Sequence, residues 1–433
     1  MMRKGIGMAY GLPMNARERF RKAINHQEPD RPPIDLGATW VTGISASAYA
    51  RLRGALGLPH RPPHIHEPYQ LLGDVEEDVR EKLGVDVIGL WAGGTIFGFR
   101  NDAGWKPWTM PDGTEVLVST AFQTTTNDNG DTLIFPCGDR NAEPSGCMPR
   151  GGSFFDAIVR QEPLDEDHLD PTDWADSFTP FADADLLHFE REATRVHEET
   201  EYGLVMNFGQ GGLGDVAFVP GQNLIHPRGL RDPNLWYEYL LTEPDYIRGI
   251  YDIQTKAAIK NMELLRQAVG DKLDVIIISG SDFGTQGSLM VSPELFRSLW
   301  KPLYKEMNDW VHANTTWKTF YHTDGAVMPL LDDFVEMGVD ILNPVQCSAA
   351  GMDAETVKSK YGEKLVFWGG GVDTQRTLPF GTPAEVREQV RERIRVFGAG
   401  GGYVFNTIHN ILSNTPEANL IAMYEAALDR SLC

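Results

Sequence analysis

The stretch WKTFYHTDG, residues 317–325, poses the question on which both fold and chemistry turn. Its first six residues read as a buried strand, and the run then breaks at His322, Thr323, Asp324 and a glycine. Residues i and i+2 of a strand point to the same face. A strand that persists to its end therefore projects His322 and Asp324 together. Such a pair is a metal site, an acid/base pair or a capped strand end.

Seven further short apolar runs end in the same way, in glycine or polar residues. They are PPIDLG (32–37), VDVIGLW (85–91), GLVMNF (203–208), DVIIISG (274–280), VDILNP (339–344), KLVFWGG (364–370) and GYVFNT (402–407). From the fourth strand onward each is followed by a helix, with a repeat of roughly 25 to 45 residues. Alternating β and α segments build a parallel sheet. Eight such units close most simply into a (β/α)8 barrel, with an open doubly wound sheet as the alternative. Helix starts are marked by Asn15 with Glu18, a capping box, and by Thr382-Pro383-Ala384-Glu385. Val386, Val390, Ile394 and Phe397 form the apolar stripe of the latter helix. Thr242, Ser292 and Thr415, each with a proline close behind, are read as further caps.

One barrel domain is expected over residues 1–433, with an insertion at about 93–200 between the second and third barrel strands. That segment is rich in Asp, Gly, Pro and Thr and lacks long helical periodicity. It reads as a lid or pocket wall, or as a solvated elaboration.

Composition removes several classes of function. With 42% hydrophobic and 10% aromatic residues in 433, a sizeable core is available and global disorder is excluded. A net charge of −22 argues against nucleic acid and against an anionic membrane surface as partners. The four cysteines, Cys137, Cys147, Cys347 and Cys433, form no CxxC motif. The opening MMRKGIGMAYGLPM lacks an apolar h-region, and no run approaches the ~18 apolar residues of a membrane span. A soluble, cytoplasmic protein is expected.

GQGGLG (209–214) matches GxGxxG after a strand, but DVAFVPGQNLIHPRG follows it, without an amphipathic helix to receive a pyrophosphate. It is read as a strand-to-helix loop. WGGGVDTQ (368–375) lies where barrels often hold phosphate, whereas GAGGGYVFNTIHN (398–410) is mostly the turn entering the last strand.

Polar residues gather at the strand ends: Asp35, Thr39 and Trp40; Asn207; Ser281, Asp282 and Gln286; His322 and Asp324; Asn343 and Gln346; Asp373 and Gln375; Asn406 and His409. In a barrel all of them surround one mouth. With almost no Lys or Arg among them, they suit a metal or an acid/base pair better than a polyanion. His322, Asp324 and His409 supply N, O and N ligands, a set that suits zinc with an open position. Without metal, Asp324 would orient His322 as a general base. Asp282 is counted with this catalytic group, although it also reads as a turn or helix cap. Gln286, Asn207, Asn343, Gln346 and Asp373 are expected to contact substrate, with Trp40 and Trp91 as apolar walls.

From about Asn15 to Ala427 the chain resembles the uroporphyrinogen decarboxylase superfamily. The strongest stretches are YHTDGAVMPLLDDFVEMGVDILNPVQ, FWGGGVDTQRTLPFGTPAEVREQVRERI and GGGYVFNTIHNILSNTPEANLIAMYEAA. The resemblance implies a (β/α)8 barrel, a homodimer and one of two chemistries. The decarboxylase itself works without metal or cofactor on an acetate-bearing tetrapyrrole, and NTIHNI is similar to a histidine-containing motif there. Its arginine-rich motif is absent, however: the corresponding strand end reads IDLGATWVTGISASAY, and only Arg100 and Arg150 in the insertion stand as candidate cations.

The other branch moves methyl groups between corrinoid proteins and thiols or methylated compounds. Its zinc is held by an H-x-C pair and a later cysteine. Here the pair becomes His322 and Asp324, and the later position falls on or near His409. Carboxylate and imidazole in place of two thiolates leave a harder, more Lewis-acidic metal. No cobalamin-binding domain is evident in the chain, so a corrinoid is expected on a separate protein. The function expected is corrinoid-linked demethylation of a small methylated substrate. The alternatives are a cofactor-free decarboxylase, acting on uroporphyrinogen or a related acid, and a non-catalytic corrinoid- or tetrapyrrole-binding paralogue.

Overall fold

The computed structural model describes residues 14–102 and 104–429. Residues 1–13 of the opening stretch read for a leader, and Cys433, lie outside them. Among the described residues no helix is long and apolar enough to cross a membrane.

Seven parallel strands pair in chain order: Val87–Leu90, Gly203–Met206, Val275–Ser279, Lys318–His322, Ile341–Asn343, Val366–Trp368 and Tyr403–Val404. These are the second to eighth strands of the sequence reading. The first, expected over 32–37, shrinks to a single bridging residue. Ile34 pairs in parallel with Val85 on one side and Phe405 on the other, and so closes the sheet into a barrel. Pro32 and Pro33 carry no N–H, which keeps the ladder from growing toward the N-terminus. Closure rules out the open doubly wound alternative.

Alternation along the strands gives the barrel two apolar layers. Val87, Val205, Val275, Ile277, Phe320, Ile341, Val366, Trp368 and Val404 point inward and are buried together with Phe20 and Ile24. The last two come from the helix Ala16–Ile24, which plugs the bottom of the barrel. Phe20 meets Trp368 edge-on at 5.5 Å. The intervening residues, such as Tyr321 and Leu342, face the helices.

The bottom of the barrel shows a repeated device. Asp86, Asp274 and Asp340 each stand just before an even-numbered strand, and each takes a backbone N–H from the odd-numbered strand beside it. The donors are Ile34 at 2.7 Å, Leu204 at 2.9 Å and Thr319 at 2.8 Å. Their remaining lone pairs meet cations. Arg19 and Arg31 reach Asp86 at 2.6 Å each, Arg21 reaches Asp274 at 2.6 Å, and Lys318 reaches Asp340 at 3.4 Å.

Both capping boxes form, at Asn15 with Glu18 and at Thr382 with Glu385, and Ser292 caps its helix. Thr242 and Thr415 do not cap. Thr242 ends the helix Pro233–Thr242, where its hydroxyl donates to Glu238 O, so Glu243 opens the next helix. Pro416 takes the cap position expected of Thr415, with extended backbone and no side-chain hydrogen bond.

Between the second and third strands, a hairpin (Trp105–Thr109 with Glu115–Ser119) and a small four-stranded antiparallel sheet enclose their own core of Phe97, Phe99, Val116, Phe122, Ile134, Met148 and Phe155. The expected lack of a long helix up to residue 200 is corrected. The 17-residue helix Asp183–Glu199 fills the end of this segment, burying Phe189, Ala193 and Val196 at helical spacing. Its stripe contains an alanine and only two larger apolar residues, a weak signal against its many charges.

Candidate functional site

The fifth strand ends at His322, and the chain then turns through Thr323, Asp324 and Gly325. The loop after the eighth strand brings in His409. His322, Asp324 and His409 each offer one ligand atom, and these atoms lie within 4.8 Å of one another. The two imidazole centroids are 5.6 Å apart.

Each member is held differently. His322 is only 2% exposed and shares a 2.6 Å hydrogen bond between its Nδ1 and Asn343 Oδ1. Asn343 Nδ2 donates to Trp368 O at 2.8 Å, which fixes the amide so that its oxygen must accept. His322 Nδ1 is therefore assigned as the donor to Asn343, and Nε2 is the ring nitrogen left for a ligand. Asp324 is set by the main chain. Its N–H donates to Asp282 Oδ1 and that of Gly325 to Gln346 Oε1, both at 2.7 Å. Gly284 packs its backbone against this turn, where an added Cβ would stand 2.6 Å from Asp324 O.

Asp324 Oδ1 is buried without a hydrogen-bond partner. An unmet buried acceptor costs about 1–3 kcal/mol, a cost that a bound cation removes. Burial lowers the pKa of His409, against the pull of Asp324 and with the help of His322, so it stands neutral, as a ligand must. Two imidazoles and an orphaned carboxylate oxygen fit a divalent metal.

Two more carboxylates flank this triad. Asp282 Oδ1 lies 3.8 Å from His322 Nε2, too far to hydrogen-bond. Burial raises its pKa, His322 opposes that, and the charge of Asp324 adds to it. The second is Asp215, in the loop after the third strand, which the sequence reading missed. Ala217 N donates to its Oδ1 at 3.0 Å. Its Oδ2 and Trp40 Nε1 both lie 3.5 Å from where a Cβ on Gly280 would be. Burial pushes the Asp215 carboxyl up to about 7, and the charge of Asp282 contributes. Among the described residues no Lys or Arg shifts either carboxyl; His322 is the one ionisable group that draws both down. Asp215 was hidden because it follows directly on GQGGLG, a motif judged only against nucleotide binding. An acid straight after a strand-end glycine loop was the available signal.

The other expected residues divide into two sets. Trp40 lies half-buried over the inner layer, its carbonyl held by Gln70 Nε2 at 3.1 Å and Asn410 Nδ2 at 2.8 Å. Trp91 meets His66 edge-on at 4.4 Å. Gln286 donates to Gln375 Oε1 at 2.7 Å on the exposed rim. Asn207, Asn343, Gln346 and Asp373 direct their polar atoms at the protein itself. Asn207 bonds Ala38 O and Trp40 N, Asn343 and Gln346 hold His322 and Gly325, and Asp373 accepts from Gln375 N and Arg376 N. Asp35 is wholly buried between Trp368 Nε1 at 2.9 Å and Ala38 N at 3.0 Å, and burial pushes it up to about 6. Ser281 and Asn406 bond Leu213 O and Asp35 O, and Thr39 bonds Thr42.

Residues 222–429 match the family model described as uroporphyrinogen decarboxylase (URO-D). A search of the curated proteins gives no match. Among solved structures, a methyltransferase from Methanosarcina mazei aligns over 96% of this chain and 98% of its own, at 16% identity and a TM-score of 0.55. The matched segment carries Asp282, His322, Asp324 and His409, and over it the family resemblance read from the sequence stands. The structural likeness shows the barrel fold along nearly the whole chain.

Proposed function

We propose that this protein is a methyltransferase of the corrinoid-linked type, demethylating a small methylated substrate at a metal held by His322, Asp324 and His409. The observation that carries the reading is the convergence of these three groups within 4.8 Å, with an orphaned carboxylate oxygen among them. Bound there, zinc would supply Lewis-acid activation of the heteroatom that bears or accepts the methyl group.

The chain's own residues do the rest. Asn343 keeps His322 in the ligating tautomer. Asp282, too far from His322 to share a hydrogen bond with it, is left to accept a hydrogen bond from substrate. Asp215, its carboxyl raised to about 7, is protonated in a substantial fraction of molecules at neutral pH and can give that proton to a leaving heteroatom. Trp40, and on the same reading Trp91, wall the site and exclude water. The methyl group would pass to a corrinoid on a separate protein. A homodimer in the cytoplasm, with no nucleic-acid or membrane partner, belongs to the same proposal.

The charge of the mouth weighs against uroporphyrinogen. An octacarboxylate needs cations, yet Arg100 is spent on Asp102 and Asp185 at 2.5 and 3.0 Å, and Arg150 is exposed in the insertion. A second reading, cofactor-free decarboxylation of a smaller acid, is favoured by the family model over residues 222–429 and by Asp215 as proton donor. A non-catalytic corrinoid or tetrapyrrole binder would show affinity without turnover.

The test is elemental analysis of wild type beside His322→Ala, followed by methyl-transfer assays with added corrinoid. About one equivalent of zinc or a similar metal, lost in the variant, supports the reading. Wild-type protein that stays metal-free after zinc is offered would falsify it, and activity that survives a chelator would favour decarboxylation.

A further inference from the structure

The insertion and the loop after the third strand bury two arginines that no carboxylate among the described residues meets. Arg231 is 1% exposed and Arg160 9%. Arg160 donates Nη2 to Gly221 O at 2.7 Å. Arg231 donates Nε to Arg228 O at 2.7 Å and Nη2 to Ser177 Oγ at 3.1 Å, with its guanidinium 3.8 Å above the Trp174 ring. Three nitrogens remain buried without a partner: Arg160 Nε, Arg160 Nη1 and Arg231 Nη1. The two groups converge on Gly221. Its carbonyl takes Arg160, and a Cβ added there would stand 3.1 Å from Arg231 Nη1.

The contrast with the other buried arginines is sharp. Arg19, Arg31 and Arg53 all have carboxylate partners, within 2.8 Å. Near Arg160 and Arg231 the acids are engaged or turned outward: Asp173 pairs with Arg228 at 2.6 Å, and Glu143 and Asp176 are exposed. Among the described residues neither arginine forms an ion pair. A chain with 61 acidic and 39 basic residues has carboxylates to spare, so their absence here is a property of the site. An unpaired buried charge and unmet buried N–H groups both cost stability that a bound anion would return. Burial pulls both guanidinium groups down, Arg231 to about 10 with Arg160 contributing, so both stay charged at neutral pH.

We propose that Arg160 and Arg231 form a closed anion site that takes one small oxyanion, a phosphate or a free carboxylate, and so fastens the insertion to the barrel. Forked guanidinium donors match the oxygens of such anions, and the low exposure admits only a compact one.

The test is thermal unfolding of the full chain at constant ionic strength, with inorganic phosphate or acetate replacing chloride. A saturable rise in Tm of about 1–3 °C is expected. It should vanish in Arg160→Met and Arg231→Met but persist in Arg100→Met, and the two anion arms tell phosphate from carboxylate. A Tm indifferent to the anion, a rise with chloride alone, or an equal rise in the arginine variants overturns the proposal. Should Arg231→Met fail to fold, phosphorus-31 line broadening of inorganic phosphate by wild type, absent with Arg160→Met, reads the same site. No broadening with wild type and no response to acetate would also overturn it.

Discussion

The two ends of the barrel treat charge in opposite ways. At the bottom, Asp86, Asp274 and Asp340 each satisfy a neighbouring strand's N–H and a cation. At the mouth, Asp215, Asp282 and Asp324 face one another and two imidazoles, with an oxygen left over. The same side chain is a fastener at one end and an open valence at the other. What separates the two is the company of arginine and lysine, which complete the first set and, among the described residues, are missing from the second. An unmet polar group that converges with other ligand-type side chains, as Asp324 does here, marks a candidate ligand site.

The largest test of this contrast is His322→Ala. Metal content should fall from about one equivalent to background and methyl transfer by more than the ~10²-fold of a supporting residue. Protein that retains both would erase the distinction. Asp86→Ala should do the reverse. It strands Arg31 and leaves Arg19 to Asp30 alone, so urea unfolding should register a loss of about 3–5 kcal/mol while metal content is unchanged. Asn343→Ala frees the His322 tautomer, and metal affinity measured by competition with a chromophoric chelator should drop about 10- to 100-fold.

The smallest effect concerns protons. If Asp215 acts in its protonated form, activity is nearly full a unit below about 7, halved near it, and about tenfold lower a unit above than a unit below. Asp215→Asn should flatten that limb; an unchanged profile would assign the proton elsewhere. Asp35, raised to about 6, affects stability with the same sign. Its contribution is complete below the unfolded carboxyl range and is lost as pH climbs through the folded value.

Much of the barrel was legible because strands carry their own punctuation. Seven apolar runs became strands, and the H-x-D pair stood out because it ends one of them. The first strand did not follow from its pattern, since its two prolines deny it a ladder. The helix Asp183–Glu199 was hidden beneath its charges. Within the site, periodicity could nominate Asn343, Gln346 and Asn207 as strand-end polar groups but not say which way they point. That depends on partners far along the chain, such as Trp368 O for Asn343. Asp215 and the Arg160/Arg231 pair sit in irregular segments whose meeting no local pattern records.

The backbone contact between Gly284 and the Asp324–Gly325 turn has one more consequence. Main-chain atoms, together with Asp282 and Gln346, hold that turn, so the side chain at position 324 is an interchangeable part mounted on a rigid bracket. Asp324→Cys would place an H-x-C pair on an unchanged mount, so that a metal bound there would turn from hard toward soft partners with a single codon.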